Sequence, residues 1–431
     1  MMDKRIYIHF GPGKTGSSAI QAWMNSHRGW LAEQQVCYPA HAVDKNSVSS
    51  GNIESVTVKT SDGQYRFSQA KANRLLQSFQ ASHARVLFLS SEFFFPMLSQ
   101  LMTVFKDATF IGYIRDPLDL HESDYNQKVK LHGHYLPFHA PISSFPVVGA
   151  LAQVLDSHKE ICLDLRPYGK GMFTGGDIVK DILAAIGLEY DISVNTGQIN
   201  RRYGFEALEF KRLLNYFPIA KLETTVHDFL QSMEHQSEAY SVIPVQQQKV
   251  ANENHCQRLA AFIKNRHFPA LEPLLRLLRE RQLIPYRSQD ASQAELSFVC
   301  DSLKEYDMAL YLKLQSIVSQ HRFLYVDTPF FMPCFIDEKR KWWKREPAKK
   351  FQAREADING ASLSTLVNKV QIPDKFYPPH ILASMGEFAF ANHELEFAER
   401  LFTEALKRNP KQILALRYIN DVRLRLRGKQ L

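Results

Sequence analysis

The stretch Ile6-Tyr7-Ile8-His9-Phe10-Gly11-Pro12-Gly13-Lys14-Thr15-Gly16-Ser17-Ser18-Ala19-Ile20-Gln21 decides how the chain begins to fold. Arg5–Phe10 predicts a strand, and Lys14–His27 predicts a helix with Ile20, Trp23 and Met24 on one side. A Gly-rich turn joins them. Such a turn, leaving a strand and opening a helix, aims backbone N–H groups at one point, and the helix N-terminus adds positive partial charge there. That point suits a phosphate. Lys14 supplies a full charge, and Thr15, Ser17 and Ser18 supply hydroxyl donors.

The spacing separates this loop from Walker A. That motif is G-x-x-x-x-G-K-[ST], and the position of its first glycine is held here by Ile8. The strand Arg85–Leu89 (RVLFL) runs into Ser90-Ser91-Glu92, without the Asp that holds Mg²⁺ in such nucleotidases. A phosphate loop of another sort, one that need not use a metal, is expected.

A second segment pairs with the first. Thr109–Ile114 predicts a strand, and Pro117–Leu131 a helix with Pro in its first turn, where the lost N–H is harmless. Arg115 falls at the C-terminal end of that strand, where open α/β sheets bind ligands. Ser123 lies two turns into the helix, so an arginine fork and a hydroxyl can converge on a second phosphate. Asp116 as a simple helix cap is the competing reading of the motif. Farther on, Glu160–Leu165 predicts a strand and Gly176–Ile186 a helix closed by Gly187. The alternation predicts a mostly parallel α/β sheet.

The two segments together resemble the sulfotransferase superfamily that uses 3′-phosphoadenosine-5′-phosphosulfate (PAPS). HFGPGKTGSSAIQ and IRDPLDLHESDYNQ are most similar to its bacterial branch, and LFLSSE and LRPYGKGMFTGGDIVKDILAAIGL follow in the expected order. The resemblance covers roughly residues 5–217. It implies a P-loop-like three-layer α/β fold, a parallel sheet flanked by helices, with a helical insertion and a helical C-terminal extension. It also implies that Gly11, Gly13, Lys14, Thr15, Gly16, Ser17 and Ser18 hold the phosphosulfate, and that Arg115 and Ser123 hold the 3′-phosphate. Arg201 and Arg202, in NRRYG, either join that pocket or are solvated surface arginines. Lys14 is the expected electrostatic clamp on the leaving oxygen. Glu92 is either the base for the acceptor hydroxyl or a residue that orients the loop or the acceptor. No metal is expected. His9 is adjacent to the loop, His121 reads as a helix-face residue, and His132, His134 and His139 with Tyr135 are candidates to line an acceptor cleft.

Composition bounds the rest. At about 150 residues per domain, 431 residues suggest three domains or one large domain with additions. Lys+Arg 53 against Asp+Glu 45 leaves +8, an excess that fits an anionic partner. Cys37, Cys162, Cys256, Cys300 and Cys334 are scattered, with no C-x-x-C, so idle or buried thiols in a reducing cytoplasm are expected. The N-terminal apolar stretch is too short for a secretory signal, and no apolar run reaches the ~18 residues of a spanning helix. A soluble, cytoplasmic chain follows.

Helical spacing dominates from Phe205 to about Gln320, and Asp337–Lys350 reads as a charged linker. Gly386, Ala398, Phe402, Ala405 and Pro410 fall at the offsets of one tetratricopeptide (TPR) unit of about 34 residues. One unit cannot bury its own face, so it must pack on the main body or on Arg417–Arg427, a helix in a basic cluster with Lys429. The expected organisation is an α/β core over 1–217, a helical portion over 218–335 that completes the core and its acceptor side, a linker over 336–375 and a TPR-like extension over 376–431. The leading functional expectation is transfer of a sulfuryl group from PAPS to a hydroxyl or amine, with a carbohydrate as preferred acceptor and no nucleic acid partner. A metal-dependent P-loop kinase or nucleotidase is one alternative. A non-enzymatic protein that binds a protein partner through its C-terminal helices is another.

Overall fold

The computed structural model describes residues 4–42, 49–61, 63–190, 202–233, 239–321, 330–336, 378–391, 395–410 and 412–428. In chain order its early elements are β1 (Arg5–His9), α1 (Ser17–Ser26), α2 (Arg28–Glu33), β2 (Val36–Cys37), β3 (Thr57–Lys59), β4 (Tyr65–Phe67), α3 (Gln69–Ala81), β5 (Val86–Ser90), α4 (Leu98–Val104), β6 (Thr109–Arg115) and α5 (Pro117–Leu131). Then come α6 (Pro146–Ser157), β7 (Cys162–Tyr168), α7 (Ile178–Ala185), α8 (Phe205–Leu214), α9 (Glu223–Ser232), α10 (Val245–Arg266), α11 (Glu272–Arg279), α12 (Gln293–Tyr306) and α13 (Met308–Gln320). Three further helices span Pro379–Ala391, Leu395–Arg408 and Ile413–Gly428. The chain divides into two compact units. The first joins Met1–Tyr125, Phe138–Arg202 and Ala239–Arg287, and the second takes the remainder.

The first unit is built on a five-stranded parallel sheet of order β2-β5-β1-β6-β7. Its central strands are apolar on both faces, as strands covered on both sides must be. Successive side chains alternate between faces. Ile6, Ile8, Leu87, Leu89, Phe110 and Ile114 join one core with Phe79 of α3, Leu101 of α4, Leu151 of α6, Leu259 of α10 and Leu274 of α11. Phe88, Ile111 and Tyr113 face the other way, into a core with Ile20 and Met24 of α1 and Ile182 of α7. The result is an α/β sheet flanked by helices on both faces, compatible with a three-layer fold. β3 and β4 form a separate antiparallel pair that the sequence patterns did not announce.

Two helix starts differ from the sequence expectation for a local reason. Lys14 (φ 67) and Gly16 (φ 78) are left-handed, so α1 begins at Ser17 rather than Lys14. Gly176 is also left-handed, and α7 starts at Ile178, capped by the Asp177 carboxylate, which accepts from the Val179 N–H at 2.7 Å. Gly187 closes that helix region at φ 80, as its place in the sequence predicts.

In the second unit, α8 is buried along its whole length, Glu206, Glu209, Lys211 and Arg212 included. Arg212 donates to Glu209 Oε2 at 2.9 Å and to the Tyr135 carbonyl at 3.0 Å. Asn215 donates to the carbonyls of Val129 (2.8 Å) and His134 (2.9 Å). The C-terminal helices pack as the small residues predict. A Cβ on Gly386 would lie 2.7 Å from the Phe402 ring, and Ala398 and Ala405 are buried. Ala415, Ile419 and Val422 of the following helix join this core, and His380 donates to the Asn215 carbonyl at 2.8 Å. Residues 337–377, and with them the expected linker, lie outside the described residues, as do Lys429 and the side chains of Arg417, Arg425 and Arg427. Arg423 pairs with Glu399 at 2.9 Å. Among the described residues no helix is long and apolar enough to cross a membrane.

One polar knot locks the edge of the sheet to α7. Asp181 accepts from the Tyr113 hydroxyl (2.8 Å), from Arg166 through both oxygens (2.6 and 3.0 Å) and from the Thr174 amide (2.6 Å). Burial raises the Asp181 pKa, but these donors together hold it below the ordinary carboxylate range. Its folded-state pKa is therefore depressed, so its stabilisation is full above the unfolded value and fades as pH falls through the folded one. Asp181→Ala strands a buried hydroxyl and half-buried guanidinium, and is expected to destabilise by about 3–5 kcal/mol at neutral pH. Urea unfolding of the variant beside the parent checks this; a loss below about 1 kcal/mol would sink it.

Candidate functional site

The strand order places the site. β1 lies between β5 and β6, so the loop leaving β1 has the end of β5 on one side and the end of β6 on the other. The chain passes from β1 to the β2-β5 side and later crosses to β6, which makes the C-terminal ends of β1 and β6 a topological switch point. The loop after β1, Glu92, Arg115, Ser123, Asp124, Tyr168, Arg202 and Arg281 all belong to the first unit.

The loop is held from three directions. From below, the Thr15 hydroxyl donates to the Pro12 carbonyl at 2.6 Å, and both residues are buried. From the β6 side, Arg115 Nη1 donates to the Lys14 carbonyl at 2.7 Å. β6 runs on past the point where His9 pairs with Ile111, and this overhang carries Arg115 beside the loop. Its guanidinium lies 5.1 Å from the ring of Tyr168, its register partner on β7. From the side, a Cβ on Gly16 would come 2.5 Å from Ile178 and 3.2 Å from Tyr168, so this position needs glycine for space as well as for its left-handed backbone.

The β5 side contributes Glu92. The Ser91 amide donates to the His9 carbonyl at 3.1 Å, and the Ser91 hydroxyl accepts from the Phe93 amide at 3.2 Å, opening a short 3₁₀ turn over Glu92–Met97. Glu92 Oε2 is 3.8 Å from where a Gly13 side chain would begin. Burial raises the Glu92 pKa, and Lys14 lowers it in part. Burial lowers the Lys14 pKa; Asp124 opposes that shift, Arg115 adds to it and Glu92 opposes it. Lys14 is thus flanked by two carboxylates and a guanidinium.

Beneath the loop lies a cradle of polar atoms. His9 is fully buried, and its Nδ1 meets Ser90 Oγ at 2.9 Å. His9 Nε2 and Ser17 Oγ are buried without a hydrogen-bond partner. A Cβ on Gly11 would fall 2.5 Å from Ser17 Oγ and 2.9 Å from His9 Nε2. Glycine at position 11 keeps this space open.

The sequence candidates are thus partly gathered. Gly11, Gly13, Lys14, Thr15, Gly16 and Ser17 form the loop, with Ser18 in the first turn of α1; Glu92 and Arg115 flank it. Ser123 is half-buried on α5, one residue before Asp124. Arg202 is engaged elsewhere, paired with Glu122 of α5 at 3.2 Å and lying over the Tyr240 ring at 4.3 Å. Asp119, one turn before, feels both Arg115 and Arg202, so an anion near the start of α5 would compete with these carboxylates for Arg202. Arg201 lies outside the described residues. The His132–His139 stretch is divided between the two units. Among the described residues, no group of three His, Cys, Asp or Glu side chains is disposed to hold a metal.

Sequence reasoning missed three contributors. Tyr168 backs both Arg115 and Gly16; the quoted RPYG string contained it without a role. Asp124 faces Lys14. Arg281, which follows α11, pairs with Asp116 and with Asp119 at 2.9 Å. Asp116 also accepts from the Leu118 amide at 2.9 Å, so it caps α5 while it anchors Arg281. No local signal marks a partner 165 residues away.

No family model matches the chain, and no curated protein or solved structure matches it.

The neutral state of His9 gives a direct test of the cradle. Burial pushes its pKa down to about 3, from 6.5. Its folded value is depressed, so the fold is favoured above pH 6.5 and loses that contribution as pH falls toward 3. Between pH 7 and 4.5 the parent is expected to lose about 2.5 kcal/mol that His9→Asn does not lose, read as the change in the gap between their urea unfolding free energies. An unchanged gap would remove His9 from this account.

Proposed function

We propose that this chain is a sulfotransferase that moves the sulfuryl group of PAPS to a hydroxyl or amine acceptor, with a carbohydrate or glycoconjugate as the acceptor class. The observation that carries the reading is the 2.7 Å hydrogen bond from Arg115 to the Lys14 carbonyl. It joins two anion-binding segments, far apart in sequence, at the switch point of one parallel sheet. A donor with phosphate at two ends needs two such segments side by side.

The residues fit the donor on two counts. Ser17 Oγ and His9 Nε2 are buried polar atoms without partners at the loop, and the open side of Gly11 gives them room. Lys14 and Arg115 put two cations within one electrostatic neighbourhood. Lys14, with Thr15 to Ser18, would hold the phosphosulfate end; Arg115 and Ser123 would hold the 3′-phosphate. Arg202 would contribute only by sharing itself with Glu122. Lys14 acts as the fixed charge against negative charge building on the leaving oxygen. Glu92 takes the acceptor proton, and its raised pKa brings it closer to working pH as a base. No metal enters this scheme. The same reading keeps a cytoplasmic setting, no nucleic acid partner, and a protein partner for the three C-terminal helices.

Binding is tested with adenosine 3′,5′-bisphosphate in a thermal-shift assay containing a chelator. At 100 times its Kd the ligand adds about 2.7 kcal/mol of stability, and Lys14→Ala and Arg115→Ala should each cut the shift sharply. A shift with Mg·ATP but none with the bisphosphate would favour a kinase or nucleotidase instead.

Turnover is tested with labelled PAPS and a panel of sugar acceptors. Glu92→Gln should lower kcat by about 10²–10⁴-fold with donor affinity retained. The rate should rise with pH through the elevated Glu92 value and fall again below the ordinary lysine range as Lys14 loses its proton. Turnover that needs a divalent metal and consumes ATP would defeat the proposal.

A further inference from the structure

Three phenylalanines follow Glu92 in Glu92-Phe93-Phe94-Phe95-Pro96-Met97, and the 3₁₀ turn sends them to three different places. Such a turn has 3.0 residues per turn, so consecutive side chains point about 120° apart. Phe94 is buried in the core with Leu89 and Leu101. Phe95 stacks on Phe10 at 5.9 Å. Phe93 is left 38% exposed, one residue from Glu92. Its backbone is fixed: its amide donates to the Ser91 hydroxyl at 3.2 Å, and that hydroxyl donates to the Ser50 carbonyl at 2.6 Å.

A single exposed phenylalanine needs no explanation. This one has neighbours. Tyr65 of β4 lies 5.7 Å from it, the two rings tilted at 54°. Tyr65 pairs across the β3-β4 ladder with Lys59, whose ammonium is 5.7 Å from the centre of the Tyr65 ring. The Tyr65 hydroxyl donates to Glu54 Oε1 at 3.3 Å, and Lys71 of α3 donates to the Glu54 carbonyl at 3.0 Å. Two rings, two ammonium groups and a carboxylate thus gather beside the turn that carries Glu92. All of them belong to the first unit.

We infer that Phe93 and Tyr65 form an acceptor platform, and that its ligand is an acidic glycan, a chain of sugar rings carrying carboxylate groups. The inference rests on the transfer reading for the role of Glu92, the base that a hydroxyl of the stacked sugar meets on the neighbouring residue. A pyranose ring has a face of C–H groups and a rim of hydroxyls. The C–H face is drawn to the electron-rich face of an aromatic ring. The rim needs donors and acceptors, which the Tyr65 hydroxyl and the Glu54 carboxylate supply. Lys59 and Lys71 outnumber the one carboxylate of Glu54, so an anionic sugar fits better than a neutral one. An apolar helix would need a continuous apolar groove, whereas here charge interrupts the rings. With Phe94 and Phe95 both anchored, the turn that presents Phe93 is in place before a ligand arrives, and little ordering is needed on binding.

The test uses the full-length chain and two hexasaccharides. Hyaluronan alternates glucuronate with N-acetylglucosamine; chitohexaose is N-acetylglucosamine throughout and neutral. Calorimetric titration at low salt is expected to show the parent binding the hyaluronan fragment at least about tenfold more tightly than chitohexaose. Phe93→Leu keeps an apolar side chain but loses the ring face, and should weaken hyaluronan binding about tenfold; Phe93→Tyr should keep it. Lys59→Gln combined with Lys71→Gln should erase the preference for the acidic sugar. Adenosine 3′,5′-bisphosphate, titrated alongside as the donor-side control, should bind every variant within about twofold of the parent. Should Phe93→Leu fail to fold, saturation-transfer NMR on the parent decides: irradiated aromatic protons should pass magnetisation to the C–H protons of bound hyaluronan. A parent that binds neither sugar or both alike, a Phe93→Leu variant that binds as the parent does, or no transfer from aromatic protons would overturn the inference. Ring-dependent binding of hyaluronan without any binding of the bisphosphate would uphold the platform and defeat the transfer reading.

Discussion

The hydrogen bond from Arg115 to the Lys14 carbonyl is the interaction on which the site depends. Lys14 holds a left-handed backbone, a conformation that costs a non-glycine residue on the order of 1 kcal/mol or more. A hydrogen bond from a charged donor contributes about 1.5–3 kcal/mol, enough to offset that strain. The neighbouring glycine at position 16 takes its own left-handed turn without a Cβ penalty. Between them these two residues delay the start of α1 until Ser17 and leave a bowl where a regular helix would have filled space.

The charges around the bowl are balanced rather than uniformly positive. Glu92 and Asp124 bear on Lys14, Glu122 holds Arg202, and Asp116 and Asp119 hold Arg281. Half-buried cations without such partners would repel one another and lower their own pKa values. The carboxylates keep the guanidinium and ammonium groups in place before any ligand arrives. They also set a threshold, since an anion must compete with them. A ligand with several negative charges in a fixed arrangement meets that threshold better than a lone phosphate.

The sequence disclosed the parts of this design that are local. The strand, turn and helix around Lys14, and the strand and helix around Arg115, follow from apolar runs punctuated by Gly and Pro, and both appear close to their expected bounds. The C-terminal contact of Gly386 with Phe402 follows from small-residue spacing. Residues 239–287 show what pattern alone does not carry. Their helical periodicity is plain and a helical portion completing the core is expected, but periodicity does not say which helices do so: α10 and α11 pack on the β-sheet of the first unit, whereas α9, α12 and α13 belong to the second. Arg281, Asp124 and Tyr168 gain their roles only from what lies opposite them. β2, β3 and β4 are two or three residues long, too short for alternation to register.

The overhang of β6 beyond β1 acts as a ruler. Arg115 is four residue steps beyond Ile111, the last partner of β1, about 13 Å of extended chain. An insertion or deletion of one residue in that interval would turn the guanidinium to the opposite face of the sheet and bring a different side chain to the loop. Strand length, usually the most forgiving property of a sheet edge, is here a fixed count. Chains of similar architecture that keep a Gly-rich loop but differ by one residue in this interval would have lost the second half of the bowl, whatever the rest of their sequence shares with this one.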